Sequence, residues 1–188
     1  MLTEEINKCI EVLKQGGVIL YPTDTVWGIG CDATNKNAVE KIFKIKQREE
    51  SKALIVLVDR AEMLNKYVRE IPAIAWDLME VADKPLTIIY DGALNFAPNV
   101  ISEDGSAGIR ITNDEFCKKL IYKFGKPVVS TSANITGEST PQNFHEINPD
   151  IVKLVDYAVN WKQNELVPKK PSSIIKVKEN GVFEIIRK

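Results

Sequence analysis

The sequence predicts an α/β fold built on a mixed sheet. Three observations lead there: apolar runs of strand length alternate with segments of helical periodicity, several strand candidates are short, and a hairpin pattern closes the chain. No internal repeat, low-complexity tract or Gly/Ser-rich linker interrupts the 188 residues, so one domain over 1–188 is expected.

Thr3 is placed to cap a helix over 4–15, with Ile6, Ile10 and Leu13 on one face and Gly16-Gly17 closing it. A strand over 18–21 then empties into Tyr21-Pro22-Thr23-Asp24-Thr25-Val26-Trp27-Gly28-Ile29-Gly30-Cys31-Asp32, too irregular for a helix or a buried strand and read as a binding loop. A second helix from Asn35 or Asn37 to about Lys46 turns Val39, Ile42 and Phe43 inward, and polar residues 46–52 lead to a strand over 54–58. Next come a short helix near 60–67, a helix opening at Pro72 that buries Ile74, Trp76 or Leu78, and Val81, and a strand over 86–90. Residues 92–105 read as loop and 105–112 as a strand. Asp114 caps a helix using Phe116, Leu120 and Phe124 that Gly125 ends, and a strand from Val128 dissolves into small polar residues by Asn134. Residues 135–149 form a surface excursion, 151–159 a helical turn and strand, and 162–171 a polar loop. The closing hairpin pairs 173–177 with 182–186 around Glu179-Asn180-Gly181.

Composition narrows the function. With 44% hydrophobic and 27% charged residues the chain is ordinary for a globular protein, and no apolar window is long enough to span a membrane. The N-terminus has neither a basic nor an apolar leader region, so a cytoplasmic location with no membrane partner is expected. Three widely spaced cysteines and the single His145 support neither a disulfide framework nor a zinc site, and no protein metal ligands are expected. Cys9 and Cys117 fall within helical patterns as core residues. A net charge of −1 argues against coating nucleic acid, while leaving room for a local cluster of cations.

Three groups of residues could carry chemistry. Lys46-x-Arg48 places two cations where one helix face cannot hold both, so serving one anion requires the helix to end between them. Complementing a helix dipole is the alternative, and Lys52 adds a third positive charge before the next strand. Ser130-Thr131-Ser132-Ala133-Asn134, followed by Thr136 and Ser139-Thr140, offers hydroxyl and amide donors at a strand end, where open α/β sheets bind ligands. A solvated turn is its alternative. Arg110 shares a strand face with Gly108 and Thr112, so it is either a bidentate anion ligand on a small open face or an exposed surface cation. One histidine rules out a Ser-His-Asp triad, and the Walker and Rossmann glycine patterns are absent. Cations and hydroxyls suit phosphoryl or nucleotidyl transfer by positioning and electrostatics.

In these residues the chain resembles the YrdC/Sua5 family, in particular its short single-domain threonylcarbamoyl-AMP synthases. Residues 22–30, Lys46-x-Arg48, 106–110 and Ser132-Ala133-Asn134 stand in the family's order and spacing, and 171–175 match more loosely. The resemblance implies a twisted sheet curved around a deep basic cavity. It implies conversion of L-threonine, bicarbonate and ATP into L-threonylcarbamoyladenylate and pyrophosphate, assisted by Mg²⁺, for N6-threonylcarbamoyladenosine in tRNA, with separate threonylcarbamoyl-transfer proteins downstream. It makes Lys46 and Arg48 catalytic. ATP contacts fall on Arg48, Lys52, Ser106, Ser130, Ser132, Asn134, Thr140 and Arg187, and threonine contacts on Thr25, Arg110 and Ser173. Glu49 and Ala53 depart from the family's usual prolines, and Trp27 replaces the usual Tyr, with a stacking wall expected to remain. The extra C-terminal domain of longer members is missing from this sequence. The alternative is a non-catalytic RNA-binding module using the same cavity, with tRNA as partner, against which the net charge and the few aromatics near the cations weigh.

Overall fold

Helix α1 (Leu2–Lys14) starts earlier than capping by Thr3 predicts, with Met1 at the cap and no side-chain bond there. It buries Ile6, Cys9, Ile10 and Leu13 as the periodicity requires, and Gly16 follows at φ 72°. This computed structural model describes residues 1–49, 53–178 and 180–188.

The strands are β1 (Ile19–Tyr21), β2 (Gly28–Gly30), β3 (Ile55–Val58), β4 (Leu86–Tyr90), β5 (Ala107–Ile111), β6 (Val128–Ser132), β7 (Tyr157–Ala158), β8 (Ser173–Val177) and β9 (Phe183–Arg187). They form one sheet in the order β7-β1-β2-β6-β3-β5-β4-β8-β9. β1/β7, β3/β5 and β4/β8 pair parallel and the other neighbours antiparallel, so the sheet is mixed. Strand β2 corrects the reading of 21–32 as loop throughout. Its glycines hide the strand pattern because a side chain does not fit: a Cβ on Gly30 would lie 2.3 Å from the Val129 carbonyl and 2.6 Å from Tyr21 Cε1.

Helices α2 (Lys36–Lys46), α3 (Ala73–Val81), α4 (Glu115–Phe124) and α5 (Pro149–Leu154) and 3₁₀ turns at Ala61–Lys66 and Phe144–Glu146 complete the fold. Asn35 caps α2 by accepting from Ala38 N, and Asp114 caps α4 by accepting from Cys117 N. In α3 Ala75 is fully buried and Ile74 and Leu78 pack half-buried on the core, which decides for Leu78 over the exposed Trp76, while Val81 is exposed against expectation. Among the described residues no helix is long and apolar enough to cross a membrane.

The sheet's two faces are covered differently, and that difference creates the site. One face, with Val56, Val58, Ile88, Tyr90, Ala107, Ile109 and Val129, belongs to the larger core together with α2 residues Val39, Ile42 and Phe43. The opposite face packs Ile19, Tyr21, Leu57 and Val128 against α1 and α4. Further along that face, among the described residues no helix covers Gly108 and Arg110 of β5, Thr87 and Ile89 of β4, or Ile174 and Lys176 of β8. A cavity opens there instead.

Candidate active site

Strand register orders the cavity floor. Ser130, Ile55, Gly108, Ile89 and Lys176 lie in one row across five strands, and Leu57, Arg110, Thr87, Ile174 and Arg187 in the next. The cavity has a volume of about 400 Å³. Its described walls carry Arg48, Arg110, Lys176 and Arg187 against one carboxylate, Asp104.

Arg110 is buried, only 3% exposed, which removes the surface-cation alternative. Its Nη2 lies 3.1 Å from Asp24 Oδ1 and donates to Thr25 Oγ1 at 3.2 Å. The Asp24 contact is a close ion pair without hydrogen-bond alignment, since Arg110 Nε and Asp24 Oδ1 are both buried without a hydrogen-bond partner. Asp24 is itself held by Asn113 N at 3.1 Å. The opening loop fixes Thr25 by its own wiring: Thr23 Oγ1 donates to the Val26 carbonyl at 2.7 Å and accepts from Thr25 N at 3.0 Å. With that proton spent, the 3.0 Å contact between the two hydroxyls makes Thr25 the donor to Thr23. Thr25 Oγ1 therefore offers a ligand a lone pair and no proton.

Lys46-x-Arg48 meets its geometric requirement. Helix α2 ends at Lys46, Gln47 takes the left-handed conformation at φ 49°, and Arg48 N closes back on the Phe43 carbonyl at 2.9 Å. The two cations nevertheless part company. Arg48 lines the cavity, its Nη2 donating to the Ala53 carbonyl at 2.7 Å and its buried Nε unpartnered. Lys46 is 2% exposed and does not line the cavity; its ammonium donates to the carbonyls of Ser132 at 2.5 Å and Asn134 at 2.6 Å. Thr136 N returns a bond to the Lys46 carbonyl, so this residue bolts the end of α2 to the end of β6. Burial, seconded by the nearby Arg48 charge, brings its pKa down to about 8.

The other predicted residues divide similarly. Ser106, Ser130, Ser132, Thr140 and Arg187 line the cavity. Asn134 turns away, donating from Nδ2 to the Ile135 and Glu138 carbonyls, with Oδ1 buried and unpartnered. Ser173 is displaced by one residue: Ser172 enters the cavity and shares a hydrogen bond with Thr87 Oγ1 at 2.8 Å, while Ser173 alternates onto the face of Ile175 and Val177. Lys52 lies outside the described residues. Trp27 forms no cavity wall. It packs in the core on Phe144, ring centroids 4.9 Å apart.

Sequence reasoning missed Ser172, Thr87, Ser102, Asp104 and Lys176, all cavity-lining. The Thr87 and Lys176 positions follow from alternation once the register with Arg110 is known, but local sequence does not supply that register. Cys31 is buried within the core and burial pushes its thiol up, so it is no nucleophile. Among the described residues no group of three or more His, Cys, Asp or Glu is placed to hold a metal ion.

A family model covering Sua5, YciO and YrdC, described as "Telomere recombination", matches residues 11–188. The chain belongs to this family. A threonylcarbamoyl-AMP synthase of Pseudoalteromonas translucida is 37% identical over 82% of this chain and 84% of its own length. A putative threonylcarbamoyl-AMP synthase of Methanocaldococcus jannaschii is 34% identical over 97% and 86%. Among solved structures, E. coli YciO superposes with a TM-score of 0.85 at 25% identity, covering 100% of this chain and 90% of that one. P. abyssi Sua5 complexed with L-threonine gives 0.82 at 23% identity; this chain spans about half of it, 52%, and that likeness speaks to the fold alone.

Proposed function

We propose that this chain is a threonylcarbamoyl-AMP synthase that joins L-threonine, bicarbonate and ATP and releases pyrophosphate, in the cytoplasm, for threonylcarbamoyladenosine in tRNA. The observation that carries the reading is the 37% identity over 82% of the chain to a protein of that name. The cavity chemistry is what the reaction needs. Threonine's amine condenses with bicarbonate to a carbamate and water, a carbamate oxygen attacks the α-phosphorus, and pyrophosphate leaves. The carbamate already carries negative charge, so the transfer step calls for positioning and charge stabilisation more than for a base.

Arg110, held still by Asp24 and Thr25, offers Nε to the threonine carboxylate. Thr25 Oγ1 accepts from threonine's hydroxyl or amine. Arg48, Arg187 and the hydroxyls of Ser106, Ser130, Ser132 and Thr140 take the phosphates, while Lys46 keeps the Ser132 and Asn134 backbone in place behind them. The donor set suits a magnesium ion carried on the triphosphate. Asp104, the one carboxylate on the described walls, is already engaged by Ser106 and Lys176, and Mg²⁺ keeps company with substrate phosphates more readily than with all-protein cages. Such an ion neutralises phosphate charge. The name shared by the relatives does not favour the RNA-binding module.

The test is pyrophosphate release with each substrate omitted in turn. Release that needs both threonine and bicarbonate and disappears in the Arg48→Ala/Arg110→Ala double variant supports the reading. Release indifferent to threonine rejects it.

A further inference from the structure

We infer that Lys176 is a phosphate-binding residue held in reserve: it rests on Asp104, and it leaves that carboxylate for the polyphosphate when nucleotide enters. The inference rests on the nucleotide reading above and adds to it a residue and a way of tuning product release.

Lys176 reaches the cavity by strand alternation. Its partners in the register are Glu184 of β9 and Ile89 of β4, and Ile89 in turn pairs with Gly108, so on the cavity side the lysine adjoins a row that is apolar and lacks a side chain at Gly108. A Cβ at Gly108 would meet its nearest neighbours, Thr87, Ile89 and Ile55, at an ordinary 3.5–3.9 Å, so among the described residues nothing crowds this part of the floor. Lys176 Nζ lies 2.6 Å from Asp104 Oδ2 and 3.8 Å from Asp91 Oδ1. The other oxygen of Asp104 accepts from Ser106 N at 3.1 Å and Ser106 Oγ at 2.6 Å. Asp104 thus has work without the lysine, and the lysine can leave without stranding it.

The four cations on the described walls differ in how freely they can move. Arg110 is 3% exposed against an Asp24 carboxylate that is 9% exposed, and separating that pair would leave two buried charges. Arg48 and Arg187 are each tied to a backbone carbonyl, of Ala53 and Ser172. The Lys176–Asp104 pair is open to water, the two side chains 24% and 53% exposed, and a solvated pair of this kind is nearly neutral to break. It also stands between the cavity and a neighbouring open groove flanked by Arg69 and Lys178, to which both residues belong. Threonine brings one carboxylate and Arg110 answers it. Beyond the single charge of bicarbonate and its carbamate, the remaining negative charge of the reactants is on phosphate, and a flexible ammonium among hydroxyls suits it as a point charge. Once pyrophosphate forms, Asp104 competes for the same lysine and speeds its departure.

The two partners should therefore act with opposite sign. The probe is inorganic pyrophosphate, titrated calorimetrically into the wild-type chain, Lys176→Met and Asp104→Asn, with threonine-dependent pyrophosphate release measured in parallel. Lys176→Met should weaken pyrophosphate binding on the order of 10-fold, the worth of one charge-assisted hydrogen bond, and leave the KM for threonine unchanged. Asp104→Asn keeps an oxygen for Ser106 and removes the lysine's nearest carboxylate, leaving only the longer Asp91 contact and the cross-strand Glu184, so it should bind pyrophosphate several-fold more tightly. Both variants binding more weakly, or neither changing, overturns the inference even where the wild-type chain makes product. Wild-type chain that makes no product rejects the underlying function instead.

Discussion

Replacing Lys46 by Met separates a structural from a chemical role for the residue that the family motif marks as catalytic. The ammonium sits in a site 2% exposed and satisfies two carbonyls, those of Ser132 and Asn134. Methionine fills similar volume but donates nothing; the Ser132 carbonyl keeps its bond from Asn134 N at 2.9 Å, while the Asn134 carbonyl loses its donor at about 1–3 kcal/mol. That is a sizeable part of the ~5–15 kcal/mol that holds a typical domain folded. For a chain of this size it lowers the midpoint of thermal unfolding by roughly 2–12 °C. The pH dependence gives a second reading. The folded pKa is about 8, below the ~10.4 of an unfolded lysine. Between those values the unfolded chain holds a proton that the folded chain has lost, so wild-type stability rises with pH. The neutral amine still has two protons for its two carbonyls. Measured by urea unfolding, the gap between wild type and Lys46→Met should widen from pH 8 to 10 by up to about 3 kcal/mol. Equal midpoints and parallel pH profiles would refute the bolt between α2 and β6.

Arg110→Lys keeps a charge for Asp24 but loses the Nε donor, so the KM for threonine should rise on the order of 10-fold while that for ATP moves much less. Steady-state kinetics with each substrate varied would show it. Gly30→Ala puts a methyl group 2.3 Å from the Val129 carbonyl, and the resulting strain on β2 and β6 should cost at least ~1–3 kcal/mol in chemical denaturation. Trp27→Ala should cost about 3–5 kcal/mol because the ring is a core residue packed at a tilt against Phe144. Trp27→Phe should keep most of that stability with the KM for ATP unchanged, whereas a raised KM would return the ring to the cavity.

Periodic elements were legible from the sequence alone. The caps at Asn35 and Asp114, the strand around Arg110 and the closing hairpin lie where local chemistry puts them. Errors arose where the deciding partner is remote in sequence. Gly28-Ile29-Gly30 reads as loop because its strand identity comes from β1 and β6, which approach too closely for side chains. Lys46 and Asn134 carry the right motif, yet the lysine is spent on the Ser132 and Asn134 carbonyls and the asparagine amide on those of Ile135 and Glu138, the former set by how α2 packs on the end of β6. At Ser172 and Ser173 a single step of strand parity decides which hydroxyl enters the cavity, and that parity follows from pairing with β4. Trp27 shows the same limit: an aromatic beside a binding loop is claimed by the core when a ring such as Phe144 lies behind it.

The central claim is that one cavity brings bicarbonate carbon, threonine nitrogen and the ATP α-phosphorus into a single product. Incubating the chain with ATP, threonine and ¹³C-bicarbonate, then rapidly analysing the mixture by mass spectrometry, tests this directly. The account predicts an adenylate carrying both threonine and the labelled carbon, formed with one pyrophosphate per adenylate and absent when threonine is omitted. Pyrophosphate released without such a labelled adenylate, or an adenylate free of label, would contradict it.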